Sequence, residues 1–431
     1  MSSTEDLIEL EAIERLEAAQ GYERIAHSHL PEIELTAERS ATGRWSLFEY
    51  HAPAAGGPAD RMHRFAQLSV EYEKVNRHWR IADRTTTPLR DDHAIVAAAA
   101  VDPPQSLTRT WLPAGEATTI DDLVDVEAIK QLKARYFRYL DTKDWISWRA
   151  LFTDDARFDV PSVVSIDTPT DDFVEAVARG MASTRTVHHG HVPDIVLTGA
   201  DTASGIWALN DYVEMPVPSP QAGGTYGVRG YGHYEERYRR DAGVWKIAHL
   251  RLSYLRLDPL LRPAIEQTDL GPAVSDAWLA DAPLPDASRL TDLRAIKQLK
   301  TRYFGAVDGK RWSEWRSAFT DDAVCSVSGG PDQPVDDFIA SGRERITDAT
   351  TIHHGHMPEI RFTGADTARG IWALFDYGHW PIDGSGYAGY GHYEEEYRRD
   401  NGAWQIASMR LRRLRVDPMP AGRPLEGAED T

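Results

Sequence analysis

One cysteine, Cys325, occurs in 431 residues. No internal disulfide can brace the chain, and a reducing cytoplasm is the expected location. Basic residues are scarce: 48 Lys and Arg stand against 67 Asp and Glu, a net charge of −19. Nucleic acids and anionic membranes are bound through basic surfaces, so neither is an expected partner. There is no run of about 18 apolar residues of the kind that crosses a bilayer. The acidic start MSSTEDLIEL also lacks the basic-then-apolar pattern of a secretory leader. A Gly-rich phosphate loop, a nucleophile elbow and a Cys-x-x-Cys pair are absent too. Hydrophobic content of 42% is ordinary for a globular chain, and the length asks for two to four domains.

What is present is duplication. EAIKQLKARYFRYLD (Glu127–Asp141) returns as RAIKQLKTRYFGAVD (Arg294–Asp308). The stretch that follows, DTKDWISWRALFTDDA, returns as DGKRWSEWRSAFTDDA. TVHHGHVPDIVLTGADTASGIWAL (Thr186–Leu209) returns as TIHHGHMPEIRFTGADTARGIWAL (Thr351–Leu374), and GYGHYEERYRRDAGVWKIA (Gly230–Ala248) as GYGHYEEEYRRDNGAWQIA (Gly389–Ala407). A repeat this long is a domain rather than a solenoid unit. Residues 1–90 read as a third, shortened copy. Leu10–Ala19 echoes Val126–Arg135, His27–Glu49 matches His189–Asp211, and Tyr72 and Trp79 are spaced as Tyr238 and Trp245. The expected organisation is a degenerate domain over 1–90, a linker over 91–120 and a full domain over 121–260. A second linker over 261–290, a second full domain over 291–418 and a disordered tail over 419–431 complete it.

Inside a full domain, helical signals come first. Ile129, Leu132, Tyr136, Phe137 and Leu140 form one apolar stripe, Trp145 to Phe152 a short second helix, and Asp171–Ala182 a third with Asp171 as its N-cap. Alternating stretches then read as long antiparallel strands, with YEERYRRDAG as a solvated edge strand and hairpin. Three helices on a curved antiparallel sheet make an α+β fold able to enclose an apolar pocket. The short N-terminal copy is expected to be one helix and a few strands.

Tyr136 lies on the apolar stripe, and Asp141, five residues on, is about 140° away around the helix, so the two flank a pocket. They return as Tyr303 and Asp308. In HHGH (His188–His191), strand alternation puts His189 and His191 on one face and His188 on the other. One of these imidazoles fits a general base, with Asp141 to orient it and Tyr136 as acid or oxyanion donor. The others are expected to be structural. Three histidines in four residues also fit a metal site, but no cysteine is nearby and a carboxylate ligand would have to come from elsewhere, so no metal and no cofactor are expected. Asp211 and its repeat Asp376 can point inward or outward. They are assigned to the substrate pocket together with Trp145 and Tyr231 and their repeats Trp312 and Tyr390; the other aromatics are core.

At these residues the chain resembles the SnoaL-like group of the nuclear-transport-factor-2-like superfamily. It is similar to bile-acid 7α-dehydratase in DVEAIKQLKARYFRYLD and HHGHVPDIVLTGADTASGIW, and to scytalone dehydratase in the Asp141–Trp145 turn. The resemblance implies tandem cone-shaped α+β barrels. It implies catalytic Tyr136, Asp141 and His188, repeated as Tyr303, Asp308 and His353, acting in an Asp–His pair that removes a proton while a hydroxyl leaves. In the short copy Ala26 stands in place of His188, Glu49 in place of Asp211, and the Tyr–Asp block is missing, so that copy is expected to be inactive. Relatives that assemble as trimers imply a pseudo-trimer within one chain, which can self-associate further. The expected activity is a cofactor-independent dehydratase acting on a hydrophobic polycyclic or aromatic hydroxylated small molecule. The alternatives are an isomerase or polyketide-type cyclase using the same site, and a non-catalytic binding or scaffold protein.

Overall fold

Ser3 opens the first helix with a capping box: its hydroxyl accepts from the Asp6 amide (3.1 Å) while the Asp6 carboxylate accepts from the Ser3 amide (2.7 Å). Helix α1 (Thr4–Ala18) follows. The structure is a computed structural model, and it describes residues 3–19, 26–51, 61–94, 117–160, 163–219, 225–260, 276–279 and 284–419. Most of the expected first linker and all but the first residue of the expected tail lie outside these. By contacts the chain divides into two units, one from Met1–Ser28 and Ile33–Pro263 with Glu429–Thr431, the other from His29–Glu32 and Ala264–Ala428. Among the described residues no helix is long and apolar enough to cross a membrane.

In the first unit α1 leads into the meander β1 (Ala26–Ala37), β2 (Ser40–His51), β3 (Arg61–Val75) and β4 (His78–Ala94), paired in that order. Leu10 and Ile13 pack on Trp45, Leu47, Leu68 and Tyr72, so among the described residues this copy is one helix on a four-stranded sheet, as its patterning predicts. The rest of the unit comprises α2 (Ile120–Thr142), α3 (Trp145–Arg149), β5 (Phe152–Asp159), β6 (Thr168–Pro169), α4 (Thr170–Met181), β7 (Arg185–Gly190), β8 (Asp194–Gly199), β9 (Thr202–Ser219), β10 (Thr225–Asp241) and β11 (Val244–Pro259). Its sheet has the order β6-β5-β11-β10-β9-β7, and β8 also pairs with β9. Register shifts at Tyr231/Gly232 and Arg237/Tyr238 mark bulges that increase local twist and help curl the sheet toward the helices.

Two local expectations are corrected. Asp171 does not cap α4: the N-cap is Pro169 without a side-chain bond, and Asp171, in the first turn, accepts instead from Arg149 Nε (2.7 Å). The YEERYRRD stretch is no edge strand, since β10 lies between β9 and β11. Its alternating charges include Glu236, fully buried against the helix layer.

The second unit holds α5 (Asp276–Leu279), a 3₁₀ turn at Ala287–Arg289, α6 (Leu290–Asp308), α7 (Trp312–Ser317), β12 (Phe319–Val327), β13 (Gln333–Pro334), α8 (Val335–Ile346), β14 (Thr350–Phe362), β15 (Thr367–Trp380), β16 (Ser385–Asp400) and β17 (Ala403–Met419). The sheet order is β13-β12-β17-β16-β15-β14. The single strand β14 covers what β7 and β8 cover in the first unit. It keeps its pairing through a register shift between His356 and Glu359, with Met357 at a φ of 38°. Both units therefore show the expected α+β architecture.

A buried polar chain ties helix to sheet in each copy. In the first full domain Lys133 pairs with Glu236, both fully buried, Tyr238 donates to Glu236, and Trp207 Nε1 donates to Tyr238 (2.8 Å). In the second, Lys300 pairs with Glu395, Tyr397 donates to Glu395 (2.5 Å), and Trp372 donates to Tyr397 (2.7 Å). In the N-terminal copy Trp45 donates to Tyr72 (2.9 Å) and Tyr72 to Glu17 (2.9 Å), and the cation is Arg84 at 3.6 Å. Charges this deep are tolerable only when paired and hydrogen-bonded.

Candidate active site

The site is set by register. His188 on β7 lies opposite Asp211 on β9, and Gly230 on β10 lies on the other side of Asp211, so these positions share one face of the sheet. The last turn of α2 brings Asp141 to the same place. Asp141 Oδ1 accepts from His188 Nδ1 (2.6 Å) and from Thr186 Oγ1 (2.8 Å), and Oδ2 accepts from the His188 backbone amide (2.8 Å). Both side chains are only 3% exposed. Burial pushes the Asp141 carboxyl upward, but the charge and hydrogen bonds of His188, with Lys143, outweigh it and hold the group below its ordinary value. A carboxylate fixed on Nδ1 orients the ring and presents Nε2 as the basic nitrogen. Phe137 stacks parallel to the imidazole at 6.0 Å.

The second unit repeats this arrangement. Asp308 Oδ1 accepts from His353 Nδ1 (2.6 Å), Oδ2 accepts from the His353 amide (2.9 Å), and Phe304 stacks on the ring at 5.9 Å. Sequence reasoning missed a lysine common to both. Lys143 and Lys310 follow the helix end in the left-handed region, at φ of 62° and 56°, where a non-glycine residue is strained. The turn folds each ammonium back onto a threonine, Lys143 to Thr186 (2.7 Å) and Lys310 to Thr351 (2.6 Å). Burial lowers Lys143 to about 8, with Asp141 pulling the other way. The D-x-K spacing in both copies was the available signal.

Tyr136 is buried beside this dyad and shares a hydrogen bond with Tyr234, their rings crossing at 5.8 Å. Tyr303 and Tyr393 form the same pair. Burial drives all four hydroxyls above their ordinary value, so they stay protonated donors. In the second unit Tyr303, His353, Asp376, Tyr387, Tyr393 and Arg413 line one cavity of about 370 Å³, whose remaining wall includes Trp315, Phe338 and Leu411. That volume and mixed lining suit a small, largely apolar molecule held by a few polar contacts.

Asp211 and Asp376 both point inward, but into different company. Asp211 accepts from Tyr254 (2.6 Å), and burial raises its carboxyl. Asp376 accepts from Tyr387 (2.9 Å) and forms a two-pronged pair with Arg413, with Nη2–Oδ2 at 2.6 Å. Burial also presses on Asp376, but the Arg413 guanidinium wins and holds it low. Gly230 and Gly389 permit both arrangements, because a Cβ there would collide with the adjacent carboxylate and with Tyr254 or Arg413.

Three pocket assignments need correction. Tyr231, one residue past Gly230, takes the other face of the sheet and stacks on Phe48 of β2 (5.9 Å, 9°). Tyr390 likewise leaves the site and packs on Phe375 at 5.3 Å. Trp312 packs on Trp315, and it is Trp315 that lines the cavity. Trp145 sits edge-on to Trp148 at 5.9 Å, half-buried at the start of α3, with Lys143 Nζ 5.8 Å from its ring centroid. In the N-terminal copy, Ala26 and Glu49 hold the places named above, on β1 and β2.

Comparison with known proteins follows the same division. Among solved structures, the type 2 hexachlorocyclohexane dehydrochlorinase LinA is 22% identical, covering 33% of this chain and 99% of its own, with a TM-score of 0.30. A provisionally named scytalone dehydratase from Novosphingobium aromaticivorans DSM 12444 is 20% identical, covering 33% and 98%, with a TM-score of 0.29. LinA type 3 from Novosphingobium barchaimii LL02 is 24% identical, covering 33% and 99%, also with a TM-score of 0.29. The SnoaL-like domain model matches residues 121–251 and again 288–410, together more than half of the chain, and this protein therefore belongs to the SnoaL-like family.

Proposed function

We propose that each full domain is a cofactor-independent lyase site that eliminates water from a hydrophobic polycyclic or aromatic hydroxylated substrate. The observation that carries this reading is the Asp–His pair, formed twice at 2.6 Å on the same face as a buried tyrosine pair. His188 or His353 Nε2 takes a proton from carbon, and the C–H electron pair becomes the new C=C bond. The C–O bond on the neighbouring carbon breaks, and the oxygen leaves as water with a proton from a tyrosine hydroxyl or the imidazolium. Asp141 and Asp308 stabilise the imidazolium that forms. The N-terminal copy, without this set, serves structurally: Phe48 and Tyr50 of β2 cover Tyr231 at 5.9 and 6.5 Å.

The test is a panel of hydroxysteroid, polyketide and aromatic alcohol substrates, read by mass spectrometry for loss of one water. Turnover that disappears in a His188→Ala/His353→Ala double variant is expected. Turnover unchanged in that variant sinks the reading. Proton exchange or ring closure without loss of water would assign the same residues to an isomerase or cyclase instead.

A further inference from the structure

Strand alternation in β14 turns His354 and His356 away from the catalytic His353, onto the opposite face of the sheet. There they meet His29, from the segment of β1 that belongs to the second unit. All three imidazoles are buried, at 3%, 4% and 3% exposure in that order. One nitrogen of each lies within 4.8 Å of the others. We propose that His29, His354 and His356 bind a single divalent transition metal of the zinc type, at a site separate from the catalytic cavity.

The ring geometry carries this. A tetrahedral ion with nitrogen ligands at about 2.0–2.1 Å sets imidazole centroids about 5 Å apart. The three separations here are 4.1 Å (His29–His354), 4.7 Å (His29–His356) and 6.2 Å (His354–His356), on both sides of that value. Opening the stacked pair by about 1 Å and drawing His356 inward completes the triangle, a movement within ordinary side-chain rotation. The bulge after His356 supports the aim of that ring, since an extra residue in a strand re-points its neighbours. Phe375 lies against His354 at 5.5 Å as an apolar wall. In the corresponding strand of the first unit that register position is Asn210, whose amide oxygen bonds His191 Nε2 at 3.1 Å. Three neutral imidazoles without thiolate suit zinc, cobalt, nickel or copper rather than magnesium or calcium. A water or hydroxide would fill the fourth position. The ion would clamp the His29–Glu32 segment to β14 rather than take part in turnover.

The test uses the full-length chain, stripped with chelator and titrated with Zn²⁺ alone, and with Co²⁺ as a spectroscopic stand-in. One equivalent is expected to bind, with tetrahedral Co²⁺ bands. A ligand loss should weaken binding at least about 100-fold, because even supporting residues cost 10–100-fold. His29→Gln, His354→Gln and His356→Gln should each do so, while His191→Gln should not. No saturable Zn²⁺ or Co²⁺ binding, or binding that survives His356→Gln, overturns the proposal. A variant that fails to fold would mimic a lost ligand, so X-ray absorption on the Zn²⁺-loaded wild type is the second measurement. Fewer than three imidazole ligands there would also overturn it.

Discussion

Asp211 and Asp376 occupy one place in two copies of one domain, yet replacing each with asparagine should have unequal consequences. Asp376→Asn deletes the charge that faces Arg413, whose side chain is 7% exposed. Removing one partner of a buried ion pair costs about 3–5 kcal/mol. The asparagine oxygen still accepts one bond from the guanidinium, which places the cost near 3 kcal/mol at neutral pH. Asp211→Asn removes a carboxyl that burial already favours in its neutral form, and the amide oxygen still accepts from Tyr254. Its cost should stay within about 1 kcal/mol. The assay is urea unfolding of the full chain, with hydrogen exchange to separate the two units, because they need not unfold in one step. Equal costs for the two variants, or a larger one for Asp211→Asn, would refute the electrostatic reasoning. The pH dependence gives an independent sign. Asp376 is held below its ordinary value of 3.8, so its contribution is present above that pH and is lost as pH falls through the folded value. Asp211 is raised above 3.8, so its contribution is full below that pH and is lost as pH rises through the folded value. Wild type should therefore lose its advantage over Asp376→Asn in acid, while Asp211→Asn should gain on wild type as pH climbs from about 4.

Once a substrate is in hand, Asp141→Asn and Asp308→Asn should each lower the kcat of their own site by about 10²–10⁴-fold with little change in KM, measured with the other site disabled through its histidine. Lys133→Met strands Glu236 in the core and should cost about 3–5 kcal/mol, whereas Lys133→Met with Glu236→Leu should recover most of it; a urea series on the single and double variants decides. Lys143→Gly relieves a left-handed residue, a gain of about 1 kcal/mol, and loses a bond to Thr186 of similar worth. The melting temperature should hardly move, and the pH profile of turnover should shift.

The parts of the site legible in the sequence are those written within one short stretch. Tyr136 and Asp141 sit five apart on one helix and return as Tyr303 and Asp308, and His188 and His353 stand in a repeated strand. Their pairing then depends only on where the helix ends. Tyr231 and Tyr390 were misplaced by one residue of strand parity, which sequence leaves open and the register decides. Arg413 and Tyr254 occupy matching positions on β17 and β11, opposite Gly391 and Gly232. They lie beyond the last conspicuously repeated segment, so their divergence draws no notice until both are seen against the aspartates. His29 was legible as part of a repeated motif, but its meeting with His354 and His356 is tertiary and has no local signature.

The helix-to-sheet ion pairs have a bearing on how a chain with three related segments sorts itself out. In the full domains the helix supplies the cation, Lys133 or Lys300, and the strand the anion. In the N-terminal copy the polarity is reversed, with Glu17 on the helix and Arg84 on the strand. If α1 docked on the first full domain's sheet it would bring Glu17 to Glu236. If α2 docked on the N-terminal sheet it would bring Lys133 to Arg84. Tandem homologous segments are prone to exchanging parts as they fold, and like charges brought together out of water cost several kcal/mol. Reversing one pair thus works as a keyed connector: the buried Glu17 should be turned away by the first full domain's sheet, and Lys133 by the N-terminal one.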